Sequence, residues 1–211
     1  LDLGVRTSAS PDCRVGPRDR VTAAAAEGVE CLVTGDVGVA TDLTSAIERC
    51  NLSKWVSAIC GRRIQWFGHT ARGEFLVFPT RPGRPKPTQL RRESDARSPS
   101  DLIRTIREAN PGSLLSVCCP MDGVRGYLAT HGFKADSSER PPSLTPEAMS
   151  FDLLEVLTWR SAVGSLNHQV YAQLVRDLGH CRFAAGSDSH FVRGQECGYP
   201  RLYVARSPEA G

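Results

Sequence analysis

The stretch "LDLGVRTSASPDCRVGPRDRVTAAAAEGVECLVTGD", residues 1–36, decides the fold. Residues 1–5 form a short apolar run that is typical of a strand, and residues 29–34 form a second one of the kind found in buried parallel strands. Between them, residues 17–28 predict a helix, because a proline suits its first turn and a glycine suits its end. The stretch therefore predicts a strand–helix–strand unit.

The same alternation continues along the chain. Helices are predicted over 41–50, 100–110 and 167–179, and strands over 54–60, 74–79, 113–119, 151–157, 181–186 and 201–205. Residues 80–99 are rich in Pro and Arg without periodicity, which predicts a long loop. Strands that alternate with helices favour βα units around a parallel sheet or barrel. In such folds the chemistry lies at the carboxyl ends of the strands, so the residues after each apolar run are the informative ones.

Composition limits the classes of function. The chain has 211 residues, of which 40% are apolar, so we predict a single domain over 1–205 followed by a tail over 206–211. Lys and Arg number 26 against 23 Asp and Glu, and the net charge of +3 is too small to indicate nucleic-acid binding. No apolar run reaches the length of a membrane span, and no signal peptide is recognisable.

The cysteines and the first residue give expectations about the protein's setting. None of the eight cysteines forms a CxxC pair, and Cys31, Cys118 and Cys181 lie in apolar runs, as small buried hydrophobes do. This favours a reducing compartment, and we expect a cytoplasmic protein. Because the chain begins with Leu1, we expect a processed chain or one domain of a longer protein. Its expected partners are then other domains of that protein or members of a complex.

One motif carries recognisable chemistry. In "GSDSH", residues 186–190, alternation along an extended chain places Asp188 and His190 on the same side. A carboxylate and an imidazole that project together are typical of part of a metal site. Two ligands do not hold a catalytic metal, so the other ligands have to come from elsewhere in the chain.

Together with "GYPRLYV" (198–204), this motif resembles the end of a polymerase-and-histidinol-phosphatase (PHP) domain, and the CehA/McbA-like metallohydrolases are the most similar branch. Four other stretches match in the expected order, and the resemblance extends from residue 1 to about residue 205: residues 7–33, "GEFLVFP" (73–79), "VCCPMDGVRGY" (117–127) and "FDLLEVL" (151–157). The resemblance implies an α/β fold, a PHP-like distorted (β/α)7 barrel. It also implies two or three metal ions and hydrolysis of phosphoesters by metal-activated water.

The first half of the implied metal site is replaced in this chain. Where the family has His-x-His at the end of the first strand, this sequence has Gly4, Val5 and Arg6. The Asp-His pair after the second strand keeps Asp36 and loses the histidine. The bridging Glu implied after the third strand is replaced by arginine, with Arg62 and Arg63 at this place.

The second half is replaced to a similar extent. The implied "GHF" reads "GEF", which puts Glu74 in place of histidine, and the implied "HP" reads "CP", which puts Cys119 there. The family's Glu-Val-x-Asn-Gly reads "EVLTW" over 155–159. Asp188 and His190 are retained as the resemblance implies.

The replacements have a physical logic. Without metal ions, Asp36 and Asp188 would be buried carboxylates without a compensating charge, which is unfavourable. Arg6 and Arg63 would bring permanent positive charge to the same places, yet guanidinium offers no lone pair to a metal. We therefore predict a pocket in which ion pairs replace metals, with Arg6, Asp36 and Arg63 as candidates for anion binding.

Two functions follow. The first is a non-catalytic PHP-like domain without a cofactor, which acts as a scaffold, an interaction module or an anion-binding pocket. The alternative is a metal-dependent, phosphoesterase-like hydrolase with a reduced site. Its zinc or manganese would be held by Asp188, His190, Cys119 and Glu74. Metal-free acid–base hydrolysis by Asp36 or His190 is a weaker third hypothesis, because no nucleophile–base set accompanies them.

Overall fold

The computed structural model describes residues 1–68, 72–122, 124, 126–133, 145–157 and 182–187. In these ranges the strands are β1 (Asp2–Val5), β2 (Cys31–Thr34), β3 (Ser57–Ile59), β4 (Arg62–Phe67), β5 (Arg72–Phe78), β6 (Leu114–Cys118), β7 (Leu153–Leu157) and β8 (Arg182–Ala185). The helices are α1 (Pro17–Ala26), α2 (Thr44–Arg49), α3 (Pro87–Ser94), α4 (Pro99–Ala109) and α5 (Tyr127–Thr130).

The described strands form two sheets. The first is parallel, in the order β1-β2-β3. The second has the order β4-β5-β6-β7-β8, with β5 antiparallel to both of its neighbours and β6, β7 and β8 parallel. Over the described residues these sheets do not join into one closed sheet. The α/β class predicted from sequence is confirmed, whereas a closed (β/α)7 barrel stays a prediction.

Strands β1 and β2 of the first sheet are buried and mostly apolar, whereas β3 is partly exposed. Val5 and Leu32 pack against Val21 of α1 and against Leu43 and Ile47 beside and within α2. A strand covered by helices reads as a continuous apolar run, and this is the pattern of residues 1–5 and 29–34. The predicted strand–helix–strand unit is confirmed.

The second sheet has its own core beneath α4 and α5. Trp66, Phe75 and Val117 pack there with Leu102 of α4 and Tyr127 of α5. Helix α4 begins with a serine cap followed by a proline, a pattern that is visible in the sequence. The Ser98 side chain accepts a hydrogen bond from the Asp101 amide at 3.1 Å. A third apolar cluster, formed by Leu3, Val33, Leu76, Phe78, Cys118 and Ala184, connects the two sheets.

One predicted element needs correction, and one strand was missed. Residues 80–99 are not one loop, because α3 spans Pro87–Ser94 and α4 begins at Pro99. The sequence gives α3 no apolar periodicity, since Leu90 is its one large apolar residue and is itself exposed. β4 was not predicted either, because it begins with two arginines.

Other predictions lie outside the described residues. These are the helix over 167–179 and the strand over 201–205. The single domain over 1–205 also stays a prediction. None of the helices in the described ranges has the length and apolar character needed to cross a membrane.

Candidate functional site

The candidate site lies where the ends of several strands meet. Arg6 follows β1 and Asp36 follows β2, while Cys119 follows β6. Glu74 lies near the start of β5 and, because β5 runs antiparallel, pairs with the last residue of β6. Arg63 of β4 reaches the same place through a backbone bridge to Val37. Parallel strands thus deliver their carboxyl ends, and one antiparallel strand its amino end, to a single edge.

Arg63 occupies the centre of this edge. Its side chain is fully buried, and Nη1 donates to Oε2 of Glu74 at 3.0 Å. Its Nη2 lies 2.6 Å from the point where a Cβ on Gly4 would be, and Oε1 of Glu155 lies 4.0 Å from that point. Gly4 has a φ of +74°, which L side chains rarely adopt. The Arg63 guanidinium therefore fills the space beside β1 that a side chain at position 4 would take.

Arg6 provides a second buried guanidinium. Its side chain is 1% exposed, and Nη1 bonds Oδ2 of Asp12 at 2.5 Å. Its Nη2 lies 4.0 Å from Oε2 of Glu74, and its carbonyl accepts from Nε of Arg20 at 2.9 Å. Arg6 thereby bridges Asp12, at the rim, to Glu74 in the interior.

Glu74 is the carboxylate that the two arginines share. It is 4% exposed, and Oε1 also accepts from Nε2 of Gln65 at 3.0 Å. A buried carboxylate is tolerated only when it is paired and hydrogen-bonded, and Glu74 meets both conditions. The charge of Glu74 is therefore compensated by side chains of the chain itself.

Among the described residues, Asp36 does not pair with an arginine, which corrects the prediction of an Arg6 or Arg63 ion pair to this carboxylate. Within the described residues its oxygens accept from the Thr7 amide at 2.6 Å, the Thr7 hydroxyl at 2.7 Å and the Thr41 hydroxyl at 2.5 Å. Arg63 meets Asp36 through the backbone alone, with its amide donating to the Asp36 carbonyl at 3.0 Å. The nearby hydroxyls and amide are sufficient to satisfy the carboxylate.

Two adjacent cysteines lie at the end of β6 and differ in environment. Burial raises the pKa of the Cys118 thiol well above its usual value, although the nearby Arg63 opposes this effect. Cys119 is partly exposed and has a φ of +44°, and its amide donates to Oε2 of buried Glu155 at 3.2 Å. Cys118 is thus a core thiol, whereas Cys119 faces the site in a strained backbone conformation.

Comparisons with known proteins concern the fold. No family model matches the chain, and no curated protein matches it. A Bifidobacterium adolescentis protein, assigned by prediction as a metal-dependent phosphoesterase, has a similar structure, with a TM-score of 0.60 and 15% identity over 95% of this chain and 89% of that one. A two-domain Bacteroides vulgatus protein that contains a predicted PHP-like metal-dependent phosphoesterase gives a TM-score of 0.51 with 16% identity, over 90% of this chain and 51% of that one. The chain has a PHP-like fold.

The PHP-like fold brings some of the predicted site residues together. Arg6 and Arg63 both face Glu74, and Asp36 joins them through Thr7, the neighbour of Arg6. Cys119 joins through Glu155. Asp188 and His190 lie outside the described residues, and the assignment to the CehA/McbA-like branch stays a prediction.

Sequence reasoning did not single out three residues of this PHP-like site. Asp12 pairs with Arg6, and no pattern in the sequence connects the two. Glu155 lies in the "EVLTW" stretch, where the family resemblance could have identified it. Asp2 is buried in β1 and accepts from both the amide and the hydroxyl of Ser187 at 2.7 Å, which fastens the end of β8 to β1.

The described part of the site is poorly suited to a metal ion. Within it, no group of three or more His, Cys, Asp and Glu side chains could hold one. Two of its carboxylates, Glu74 and Asp36, already accept hydrogen bonds from arginine, glutamine and threonine.

Proposed function

We propose that this chain is a non-catalytic PHP-like domain in which a buried ion-pair network replaces the metal centre, and that it acts as a scaffold or interaction module. The observation that supports this most strongly is the position of Arg63 against Gly4. The family resemblance implies a metal-ligating histidine at position 4. Here that histidine is absent, and a guanidinium occupies the space its side chain would need.

The electrostatics of the site support the same proposal. A metal ion requires several lone-pair donors, and arginine has none. The two guanidinium groups of Arg6 and Arg63 converge on one carboxylate, Glu74, at 4.0 and 3.0 Å. A divalent cation at this point would be repelled by both groups.

The same contacts favour a scaffold over an anion-binding pocket. Both guanidinium groups are almost completely buried and face carboxylates, Arg6 with Asp12 and Glu74 and Arg63 with Glu74. An incoming phosphate would have to displace a carboxylate from each arginine. The arginines therefore serve the internal charge balance of the domain.

A second candidate function is a metal-dependent phosphoesterase of PHP type, which the comparisons favour over the non-catalytic proposal. Both similar structures belong to proteins assigned to that activity. Cys119 adds a local observation, since strained non-glycine residues cluster at functional sites and this one lies beside buried Glu155. Its proposed zinc or manganese ligands are Asp188, His190, Cys119 and Glu74, and Glu74 would first have to leave Arg63.

A hydrolysis assay separates the two candidates. The purified chain is incubated with a chromogenic phosphomonoester and a phosphodiester, with zinc or manganese added, beside Asp188→Ala. The proposal predicts no metal-dependent turnover above the buffer background and no difference between the proteins. Turnover by the wild type that Asp188→Ala abolishes would establish the phosphoesterase instead.

A further inference from the structure

A groove of about 690 Å³ lies at the opposite end of the five-stranded sheet from the candidate site. Its lining includes Arg62 at the start of β4, Pro79 just after β5 and Ser113 just before β6. At the site end, Glu74 pairs with Cys118, whereas at the groove end Phe78 pairs with Leu114. Four residues of strand separate the two ends, which is about 13 Å. The groove is therefore distinct from the candidate site.

The groove concentrates positive charge. Arg81, Arg84 and Lys86 line it and are exposed, and among the described residues none of them forms an ion pair. Among the described residues that line the groove, none is acidic. Residues 79–97 hold six basic and two acidic residues, so this segment carries +4, against +3 for the whole chain. The excess positive charge of the protein is thus concentrated in the segment that forms one wall of the groove.

The walls of the groove are held in place by the backbone. Gly83 exchanges two backbone hydrogen bonds with Ala40, at 3.0 and 2.8 Å, and the Thr80 amide donates to the Cys60 carbonyl at 2.8 Å. The Ser113 hydroxyl donates to the Pro79 carbonyl at 2.6 Å. Four prolines in the lining stiffen it further: Pro79, Pro82, Pro85 and Pro111. Because the backbone of this wall is already fixed, it loses little backbone entropy when a ligand binds.

Arg62 lies on another side of the groove and is held in place by an ion pair. It is buried, and its two terminal nitrogens donate to the two carboxylate oxygens of Glu93 in α3 at 2.9 and 2.5 Å. This bidentate pair neutralises Arg62 and anchors α3 behind the groove. The three exposed cations are consequently the charges that a ligand would meet.

We propose that this groove binds a small ligand with several phosphate groups, through Arg81, Arg84 and Lys86. Guanidinium pairs bidentately with phosphate, and three cations spaced over six residues suit more than one phosphate group. The volume lies within the range of small-molecule sites. The lining residues in the described part of the chain include no aromatic side chain, which argues against stacked nucleic-acid bases. This inference is independent of the proposed function, because it concerns another part of the fold.

Isothermal titration with inorganic tripolyphosphate, in a buffer without divalent cations, tests the proposal. The variant Arg81→Gln/Arg84→Gln/Lys86→Gln removes the three cations. A matched control, Arg14→Gln/Arg18→Gln/Arg49→Gln, removes three exposed cations outside the lining and leaves the same net charge. The groove variant should lose at least about tenfold in affinity, because charge-assisted hydrogen bonds to phosphate disappear, and the control should stay within about twofold.

Three outcomes would overturn the proposal. Absence of tripolyphosphate binding by the wild-type chain contradicts it directly. An equal loss in both triple variants would show attraction by overall charge rather than a site. Tighter binding of a peptide with two phosphoserines, lost in the groove variant, would assign the groove to a phosphorylated protein partner instead of a small ligand.

Discussion

The proposed replacement of the metal site depends most on Gly4. An alanine there would adopt an unfavourable left-handed conformation, and its Cβ would lie 2.6 Å from Nη2 of Arg63. Arg63 is buried and bound to Glu74, so it could move only by weakening that ion pair. We expect Gly4→Ala to lower the free energy of unfolding by about 2–4 kcal/mol, measured by urea denaturation.

Gly28 provides the matched control for this prediction. It has a similar φ of +68°, but nothing lies within 4 Å of a Cβ added there. Gly28→Ala should therefore lower the free energy of unfolding by about 1 kcal/mol, the cost of the left-handed backbone conformation alone. Equal losses for the two variants would contradict the assigned role of Arg63 at position 4.

Arg63 itself should be essential to stability. Replacing it with methionine leaves Glu74 buried beside one remaining arginine, Arg6, at 4.0 Å. Removing one partner of a buried pair costs roughly 3–5 kcal/mol, which chemical denaturation would detect. The double variant Arg63→Met/Glu74→Leu should recover much of that loss, because it removes the unpaired charge as well.

Arg91→Met, which breaks an exposed pair with Asp95, should cost less than about 1 kcal/mol.

The partly buried position of His131 predicts that the stability of the fold depends on pH. Burial lowers the pKa of this imidazole below its ordinary value of 6.5, although the hydrogen bond with the Tyr127 carbonyl opposes the shift. Since the unfolded chain then binds the proton more readily than the folded one, the contribution of His131 is present above pH 6.5 and is lost as the pH falls toward the folded pKa. Urea midpoints measured on either side of pH 6.5 should fall less with acidification in His131→Gln than in the wild type. An identical slope would contradict the prediction.

At the scale of elements, α3 is connected to its neighbours mainly by ion pairs, a buried one to β4 through Glu93 and an exposed one to α4 between Arg92 and Glu108. It has one large apolar residue, Leu90, and that residue is exposed, so packing contributes little. The bidentate pair between Arg62 and Glu93 connects α3 to β4. In Glu93→Gln, amide exchange within 87–94 should accelerate at least about tenfold, because this helix opens locally more easily. Asp95→Asn, which removes an exposed pair in the same region, should leave exchange nearly unchanged.

Whether a helix or strand could be predicted from the sequence depends on what stabilises it. β1, β2 and α4 could be predicted because apolar burial and a serine–proline cap leave a pattern in the sequence. β4 and α3 could not, because buried charge pairs stabilise them, and charges in a sequence indicate exposed loops. Arg62 and Arg63 illustrate this, since both are buried and both are paired.

The same limit applies to the site. Sequence reasoning selected Arg6, Arg63, Glu74 and Asp36 but could not choose which carboxylate the arginines would bind. That choice depends on the register of β4 and β5, in which Gln65 lies opposite Glu74 and Arg63 is its diagonal neighbour on the same face. Register is a tertiary property, and neither spacing nor composition determines it.

At the scale of the whole molecule, the two ends of the five-stranded sheet have opposite characters. At one end arginines are buried and neutralised by Glu74 and Asp12. At the other end Arg81, Arg84 and Lys86 are exposed around a groove. If both proposals are correct, the ligand-binding capacity of this domain lies away from the edge at which the family resemblance implies metal ions.

Metal content is the measurement that tests the central claim most directly. The chain is purified without chelators, and zinc, manganese and iron are determined by elemental analysis, for the wild type and for Asp188→Ala. If guanidinium groups have replaced the metal centre, each metal will be far below one ion per chain in both proteins. One or more ions per wild-type chain, absent from Asp188→Ala, would contradict the replacement and establish a reduced metal site.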